Sequence, residues 1–303
     1  MQNFSALFFA ALLFLTGCSR PEQPLQHTIP KSCTIYDMRQ AACIDEAELL
    51  RRLSPFRVVF AGDHHAEPAM HAVLAALIEK LGKSGRNVLL ANEWFTPGDD
   101  ALLSQYVSGA FDGNFTDAIG WKKKAGYPFA SYAPVYAAVK DTGGRLYGVN
   151  MEKDFQKALS ENNLTNAAGE ERRFYASLDL NLSAHRKMFA PFFSRCHARQ
   201  TGEDDEACLE RMYRVQVAWD SYMAQQSAAL AAAQLHTPKD LLIVFAGAMH
   251  LAYGIGINAR FARRSREPFV TILPVPEGTA NADVGEADYL LFYPAKPAEE
   301  GDE

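Results

Sequence analysis

Short aliphatic segments alternate along this chain with longer stretches of helical periodicity, and this alternation restricts the fold more than any other feature. The short segments are residues 57–61, 87–92, 145–149, 241–246, 269–274 and 289–293. Aliphatic and β-branched runs of this length are typical of buried strands, and helices between successive strands are typical of a mostly parallel sheet. The sequence therefore predicts an α/β fold with a mostly parallel central sheet flanked by helices.

The stretch 151–240 contains no strand signal and is predicted to be a largely helical insertion. Apolar residues recur at three- to four-residue spacing in 170–193 and 206–235, and a polar turn at 202–205 separates the two segments. This pattern indicates a helical hairpin inserted into, or packed on, the α/β unit. Its apolar positions are rich in aromatic residues and methionine, which suits either a core seam or the wall of a ligand site.

The first 17 residues have the features of a signal peptide. The apolar run 4–15 is shorter than the roughly 20 residues that a membrane-spanning helix needs. Leu-Thr-Gly-Cys follows at 15–18 and resembles the bacterial lipobox, in which the cysteine is lipidated. Because Ser19 rather than Asp comes next, we expect Cys18 to anchor the protein in the outer membrane, facing the periplasm. An uncleaved anchor and a plain secretory signal are the alternatives.

The chain after the leader divides into a tether, a domain and a tail. Residues 18–32 are polar and proline-punctuated, which predicts a flexible tether, and 33–296 form the predicted single α/β domain. The acidic segment 297–303 is predicted to be disordered. A net charge of -6 and the lack of a basic stripe argue against nucleic acid as a partner.

The four cysteines after Cys18 fall into two local pairs. An oxidising compartment favours disulfides, and pairing sequence neighbours closes the shortest loops. We therefore favour Cys33–Cys43 and Cys196–Cys208 among the three possible connectivities. A thiolate metal site would be expected to show CxxC spacing, which this sequence lacks.

Polar side chains follow four of the predicted strands, where ligands bind in open α/β sheets. They are Asp63, His64 and His65, then Glu93, Asn150 and His250. Two of these sites share a Gly-x-x-His pattern, at 62–65 and 247–250, in which the glycine permits a sharp turn off the strand. Two imidazoles and a carboxylate are the ligands of catalytic zinc and non-haem iron centres. His65, Glu93 and His250 therefore predict a divalent metal site, which could serve a periplasmic metal-dependent hydrolase.

Four segments of the chain resemble the ChaN family of haem-binding uptake lipoproteins, within the Tiki/TraB and erythromycin-esterase superfamily. They are VVFAGDHH at 58–65, EWF at 93–95, VQVAWDSYMA at 215–224 and AGAMH at 246–250. Together with the glycines that follow the last segment, they extend the resemblance over about residues 57–275. One departure is Asp63, because hydrolases of the superfamily usually have Glu at this position.

The resemblance implies a non-enzymatic lipoprotein that takes part in haem or iron acquisition. It implies a homodimer with two ferric haems face to face, each iron bound by a tyrosine of one subunit and a propionate touched by a histidine of the other. An outer-membrane haem receptor is an implied further partner. The implied haem-binding residues in this chain are Tyr213, His64, His65, His250 and Glu93.

Tyr213 is the first choice for the iron ligand because it precedes the Gln-x-x-Trp-Asp segment on the helix that is rich in methionine and aromatic residues. Other tyrosines remain open as alternatives: Tyr132, Tyr136, Tyr175 and Tyr222. A half-buried helix tyrosine with no ligand role would give the same pattern. A membrane-anchored interaction module without ligand chemistry is a third interpretation of the whole chain, beside the haem protein and the metal-dependent hydrolase.

Overall fold

The computed structural model describes residues 25–161, 163–165, 167–193 and 205–295. Its strands are β1 (Gln26–Thr28), β2 (Ile35–Asp37), β3 (Ala42–Cys43), β4 (Val58–Asp63), β5 (Asn87–Asn92), β6 (Arg145–Gly148), β7 (Asp240–Gly247), β8 (Phe269–Pro276), β9 (Asn281–Asp283) and β10 (Tyr289–Tyr293). Eight strands form one sheet in the order β3-β2-β10-β8-β4-β7-β5-β6, and β1 pairs separately with β9. The six strands from β10 to β6 run parallel, whereas β2 and β3 pair antiparallel at one edge. The predicted α/β class and all six predicted strands are confirmed.

The helices cover both faces of the sheet. They are α1 (Glu46–Leu53), α2 (Pro68–Lys83), α3 (Asp100–Ser108), α4 (Phe115–Ala118), α5 (Trp121–Lys124), α6 (Phe129–Asp141), α7 (Lys153–Ser160), α8 (Gly169–Ala176), α9 (Ser183–Phe193), α10 (Asp205–Gln234) and α11 (Ile257–Ala262). Alternate residues of β4 point to opposite faces. Val59 packs in the cluster that includes α2 and α6, and Phe60 packs in the cluster that includes α10 and α11. Both faces of the central strands are therefore buried, which explains their unbroken aliphatic runs.

Strand order creates a switch point beside the carboxyl ends of β4 and β7. The chain leaves β4 through α2 and passes over β7 to reach β5, whereas it leaves β7 through α11 and passes over β4 to reach β8. The two connections depart in opposite directions and leave a crevice between them, where ligands bind in such sheets. The register pairs Asp63 with Gly247 at this point.

Two predicted boundaries differ from the structure. Residues 26–28 pair with 281–283 and Ile29 is buried, so the folded domain begins near residue 26 and the tether is shorter than the predicted 18–32. The predicted helix 170–193 is two helices, α8 and α9. The break contains Asp179, whose carboxylate accepts a hydrogen bond from the backbone N–H of Asn181 and so competes with helical hydrogen bonding.

The disulfide predictions have different outcomes. Cys33 and Cys43 are bonded, with their Cα atoms 5.5 Å apart. Cys208 is buried in α10, whereas Cys196 lies outside the described residues, as do Cys18, the leader and the acidic tail. Within the described part of the chain, no helix combines the length and apolarity needed to cross a membrane.

Candidate functional site

Asp63, the last residue of β4, holds two histidines from one buried carboxylate. Its Oδ2 accepts a hydrogen bond from Nδ1 of His65 at 2.7 Å, and its Oδ1 accepts one from Nε2 of His71 at 2.7 Å. The hydroxyl of Tyr132 donates to the same Oδ2 at 3.2 Å. Burial acts to raise the pKa of Asp63, but the hydrogen bonds from His65 and His71 outweigh it and hold the pKa below its ordinary value. Asp63 is therefore an anion that orients His65.

His250 is held in the same way from the other side of the crevice. It follows β7, and its Nδ1 donates to the buried carboxylate of Asp220 in α10. Gln216 lies one helical turn before Asp220, and its amide Nε2 donates at 3.2 Å to Oδ1 of Asp220, the same oxygen that accepts from His250. Burial acts to lower the pKa of His250, but the charge of Asp220 and the hydrogen bond to it produce a net rise.

Glu93 lies between the two histidines. Its Oε1 is 3.7 Å from Nδ1 of His65, and its Oε2 is 3.9 Å from Nε2 of His250. Burial raises the pKa of Glu93, although the two histidines act against the rise. Among the described residues, Oε1 of Glu93 is buried without a hydrogen-bond partner. An unsatisfied buried carboxylate oxygen is costly, so this atom is a candidate contact for a ligand.

Gly247 lets the two histidines approach each other. A Cβ atom at this position would lie 3.2 Å from Cε1 of His65 and 3.4 Å from Cδ2 of His250. The glycine of the second Gly-x-x-His motif therefore provides space at the site as well as a turn off the strand. Asn150 closes the same edge, because its side-chain amide donates to the backbone carbonyl of Glu93 at 2.8 Å.

Two cavities meet at His65 and His250, which line both. The first has a volume of about 350 Å³ and an aromatic and methionine wall made of Trp94, Tyr127, Met151, Trp219 and Met223, with Lys124 and Lys153 also lining it. The rings of Trp94 and Tyr127 lie 4.8 and 5.4 Å from the ring of His65. The second cavity has a volume of about 620 Å³ and extends along the Gly247–His250 segment to His64 and Phe189. Both volumes fall within the range of small-molecule sites.

The structure brings together three of the five residues predicted to bind haem. His65, Glu93 and His250 converge, whereas His64 lines only the second cavity, with its Nδ1 2.9 Å from the hydroxyl of Tyr293. Tyr213 lines neither cavity. It is 1% exposed, its hydroxyl is 3.1 Å from Nδ1 of His185, and burial raises its pKa.

The four alternative tyrosines, like Tyr213, lie away from both cavities. Tyr132 and Tyr136 are fully buried, and burial raises the pKa of each. The hydroxyl of Tyr175 accepts a hydrogen bond from Arg214 at 2.7 Å, and Tyr222 packs against Phe174. None of the four lines either cavity.

The residues that could hold a metal ion differ by one from the predicted set. Asp63, His65 and Glu93 each offer a ligand atom within 4.8 Å of the others. The prediction named His250 in place of Asp63. His250 is also near this group, with its Nε2 3.9 Å from Oε2 of Glu93.

Sequence reasoning missed several residues that shape the site. Asp220 lies within the Gln-x-x-Trp-Asp segment, so its residue type and position were visible but its partner was not. Tyr127 follows a glycine in a loop and carried no periodic signal. His71 and His185 are fully buried helix residues whose roles depend on contacts with distant segments.

The family model described as "Haem-binding uptake, Tiki superfamily, ChaN" matches residues 49–261. The chain belongs to this family. ChaN of Campylobacter jejuni, a structure described as showing cofacial haem binding, is 19% identical, with 86% of this chain and 96% of that chain covered and a TM-score of 0.65. This likeness agrees with the α/β fold described above. Among curated proteins, none matches the chain.

Solved structures outside the ChaN family are more distant. The erythromycin esterase EreC, in its open conformation, is 14% identical over 83% of this chain and 77% of that chain, with a TM-score of 0.45. A succinoglycan biosynthesis protein is 13% identical over 83% of this chain and 72% of that chain, with a TM-score of 0.46.

For a ChaN-family chain the implied ligand is haem, and the first cavity has side chains of the types that contact haem. Aromatic and methionine side chains can pack against a porphyrin face, and Lys153 can pair with a propionate, whereas Lys124 is paired with Asp99 at 2.8 Å. Tyr127 supplies a phenol oxygen of the type that binds ferric haem iron. The residues of the first cavity therefore fit the group that the family binds.

Proposed function

We propose that this protein binds ferric haem in the first cavity, with Tyr127 as the iron ligand, and serves haem or iron uptake. The observation that carries the proposal is the exposure of Tyr127 beside cationic groups in a cavity with an aromatic wall. In the described part of the chain, Tyr127 and Tyr253 are the tyrosines with exposed rings, at 38% and 40%. A tyrosine that binds haem at a surface shared by two subunits must be exposed in each.

The surroundings favour Tyr127 over Tyr253. The hydroxyl of Tyr253 donates to Asp283 at 2.7 Å, and burial together with this carboxylate raises its pKa, which opposes the phenolate form. Tyr127 instead lies beside His65, whose pKa is raised by Asp63 and Glu93 against the effect of burial, and Lys124 lines the same cavity.

The remaining parts of the proposal concern assembly and location. Small-molecule sites bury 70% or more of a drug-sized ligand, and their volumes begin at about 300 Å³. A cavity of about 350 Å³ would leave part of a haem uncovered. We therefore propose that a second copy covers the exposed haem face, giving a haem-bridged dimer. We also propose that Cys18 anchors the protein at the outer membrane, facing the periplasm, where a haem receptor could exchange haem with it.

A ferric haem titration of the form beginning at Ser19, followed by absorbance and sizing chromatography, tests the proposal. We expect a saturable Soret shift near one haem per chain, accompanied by conversion to a dimer. The absence of a saturable shift would overturn haem binding. A saturable shift without dimerisation would leave haem binding intact and overturn the haem-bridged dimer.

A second candidate function is metal-dependent hydrolysis of an ester or peptide. Two carboxylate–histidine pairs, Asp63–His65 and Asp220–His250, lie on either side of Glu93, whose buried Oε1 has no hydrogen-bond partner among the described residues. Such pairs orient metal ligands and general bases in enzymes. Hydrolysis that depends on a divalent ion and disappears in Glu93→Gln, in a protein that does not bind haem, would favour this candidate.

A further inference from the structure

A buried chain of hydrogen bonds connects Tyr213 to His250. The hydroxyl of Tyr213 is 3.1 Å from Nδ1 of His185, and Nε2 of His185 is 2.6 Å from Oδ2 of Asp220. The other oxygen of Asp220, Oδ1, accepts from Nδ1 of His250. The hydrogen-bond chain therefore begins at Tyr213 on α10 and His185 on α9, and it ends at His250 in the strand-end site.

Water has almost no access to the inner part of this chain. Tyr213 is 1% exposed, and His185 and Asp220 are 0% exposed. In such surroundings an unsatisfied donor or acceptor is costly, so each member constrains the proton position of its neighbour. Removal of the Tyr213 hydroxyl should therefore alter the hydrogen bonding of His250.

The ionised carboxylate of Asp220 fixes which ring nitrogens of His185 and His250 carry hydrogens. The Asp220 carboxylate is surrounded by donors, namely Nε2 of His185, Nδ1 of His250, Nε2 of Gln216 and the guanidinium of Arg260, so it is an acceptor only. Nε2 of His185 and Nδ1 of His250 must then both carry hydrogens. A neutral His185 then has an unprotonated Nδ1 that accepts the Tyr213 hydroxyl hydrogen at 3.1 Å, with the backbone carbonyl of Leu182 at 3.3 Å as a second acceptor for it. A neutral His250 keeps an unprotonated Nε2 on the side of Glu93.

We propose that Tyr213 and His185 are positioning residues that act through Asp220 to hold His250 as the Nδ1–H tautomer. In this tautomer, the Nε2 lone pair of His250 is presented to the ligand site. The inference rests on the proposed function only in assigning His250 to that site, and it does not depend on which ligand binds. Tyr213 thereby has a role that does not require contact with haem.

The test uses the full-length protein in mild detergent, labelled with ¹⁵N-histidine and without ligand. Long-range ¹H–¹⁵N spectra at alkaline pH report the tautomer of each histidine. We expect one Nδ1–H form for His250 in the parent protein and a mixture of tautomers in Asp220→Asn. Tyr213→Phe should shift the His250 nitrogen resonances and leave those of His71 unchanged.

Tyr136→Phe is the matched control. Tyr136 is also fully buried, and within the described residues its hydroxyl has no hydrogen-bond partner, so its removal perturbs packing alone. Identical His250 resonances in Tyr213→Phe and Tyr136→Phe would overturn the proposal. An Nε2–H tautomer in the parent protein would overturn it as well.

Haem titration of the same variants separates this proposal from the proposed function. Loss of an outer carboxylate behind a metal-ligating histidine lowers metal affinity about 10- to 100-fold, and His250 lines the haem cavity without being the proposed iron ligand. We expect a loss at the lower end of that range in Asp220→Asn and a smaller one in Tyr213→Phe. Haem binding that is unchanged in Asp220→Asn and in His250→Ala would overturn the connection of the chain to the ligand, even with the expected spectra. Haem binding absent from the parent protein would overturn the proposed function, while the spectra would still test the tautomer.

Discussion

Asp63 and His65 are two residues apart in sequence and share a hydrogen bond of 2.7 Å at the end of β4. The second oxygen of Asp63 is bound by the buried His71, so the carboxylate is fully engaged. Asp63 therefore holds His65 and His71 in place.

Removal of Asp63 should destabilise the fold. In Asp63→Ala, two histidines lose their common acceptor, and breaking a buried pair in this way costs about 3–5 kcal/mol. Urea unfolding of the variant and the parent protein measures the difference. The matched control is Glu79→Ala, which breaks an exposed pair with Lys83 and should cost at most about 1 kcal/mol. Equal stability of the two variants would contradict the role of Asp63 as the common acceptor of His65 and His71.

The paired charges predict a stability maximum between acidic and alkaline pH. The pKa of His65 and that of His250 are raised in the folded state, so their contribution is present below the ordinary value of 6.5 and is lost as the pH rises through the folded value. The pKa of Asp63 and that of Asp220 are lowered, so their contribution is present above 3.8 and is lost as the pH falls through the folded value.

Urea midpoints measured across this range check the prediction. In a His65→Gln, His250→Gln double variant, the decline on the alkaline side should become smaller, and the acidic decline should become smaller as well, because these histidines help to lower the pKa of Asp63 and that of Asp220. If the double variant and the parent protein lose the same stability at alkaline pH, groups other than His65 and His250 cause that loss.

Tyr127→Phe should remove the phenolate-to-iron charge-transfer band of the haem complex. The phenyl ring keeps the aromatic wall, so the change isolates the oxygen ligand. Tyr253→Phe and Tyr213→Phe are the controls, and both should retain the band. Loss of the band in Tyr253→Phe or Tyr213→Phe, with retention in Tyr127→Phe, would move the ligand role to that residue.

Gly247→Ala should impair ligand binding with little effect on stability. The new Cβ would lie 3.2–3.4 Å from His65 and His250, and these side chains must shift to accept it. Gly62→Ala is the contrasting variant, since its Cβ would lie 2.8 Å from Leu273 and Pro274 in the packed interior. Overpacking of that kind costs about 1–3 kcal/mol. Haem titration and urea unfolding of both variants should therefore show opposite patterns.

Binding of a divalent ion would distinguish the two candidate ligand sets. Asp63, His65 and Glu93 each offer a ligand atom within 4.8 Å of the others, and Nε2 of His250 lies 3.9 Å from Oε2 of Glu93 on the other side of the crevice. Titration with cobalt(II) should show lost binding in His65→Ala and weakened binding in His250→Ala. Equal loss in both variants would restore the set of His65, Glu93 and His250, and unchanged binding in both would exclude a metal ion from this crevice.

The sequence by itself determined the sheet and the place of the site. Aliphatic runs at 58–61, 87–92 and 241–246 have few alternatives to buried strands, and ligating residues at their carboxyl ends must converge when the strands are parallel. The Gly-x-x-His repeats and the glutamate between them therefore located the crevice. These signals are local in sequence, so no tertiary information was needed to find them.

Only the tertiary structure decided which groups act together inside that crevice. Tyr213 and Tyr127 are both tyrosines near apolar residues in sequence, yet one is buried against His185 and the other is exposed beside His65. The partner of His250 is Asp220, thirty residues earlier in the chain. Helical periodicity indicates which face is buried but not what it contacts, because contacts between distant segments depend on how the helices pack on the sheet.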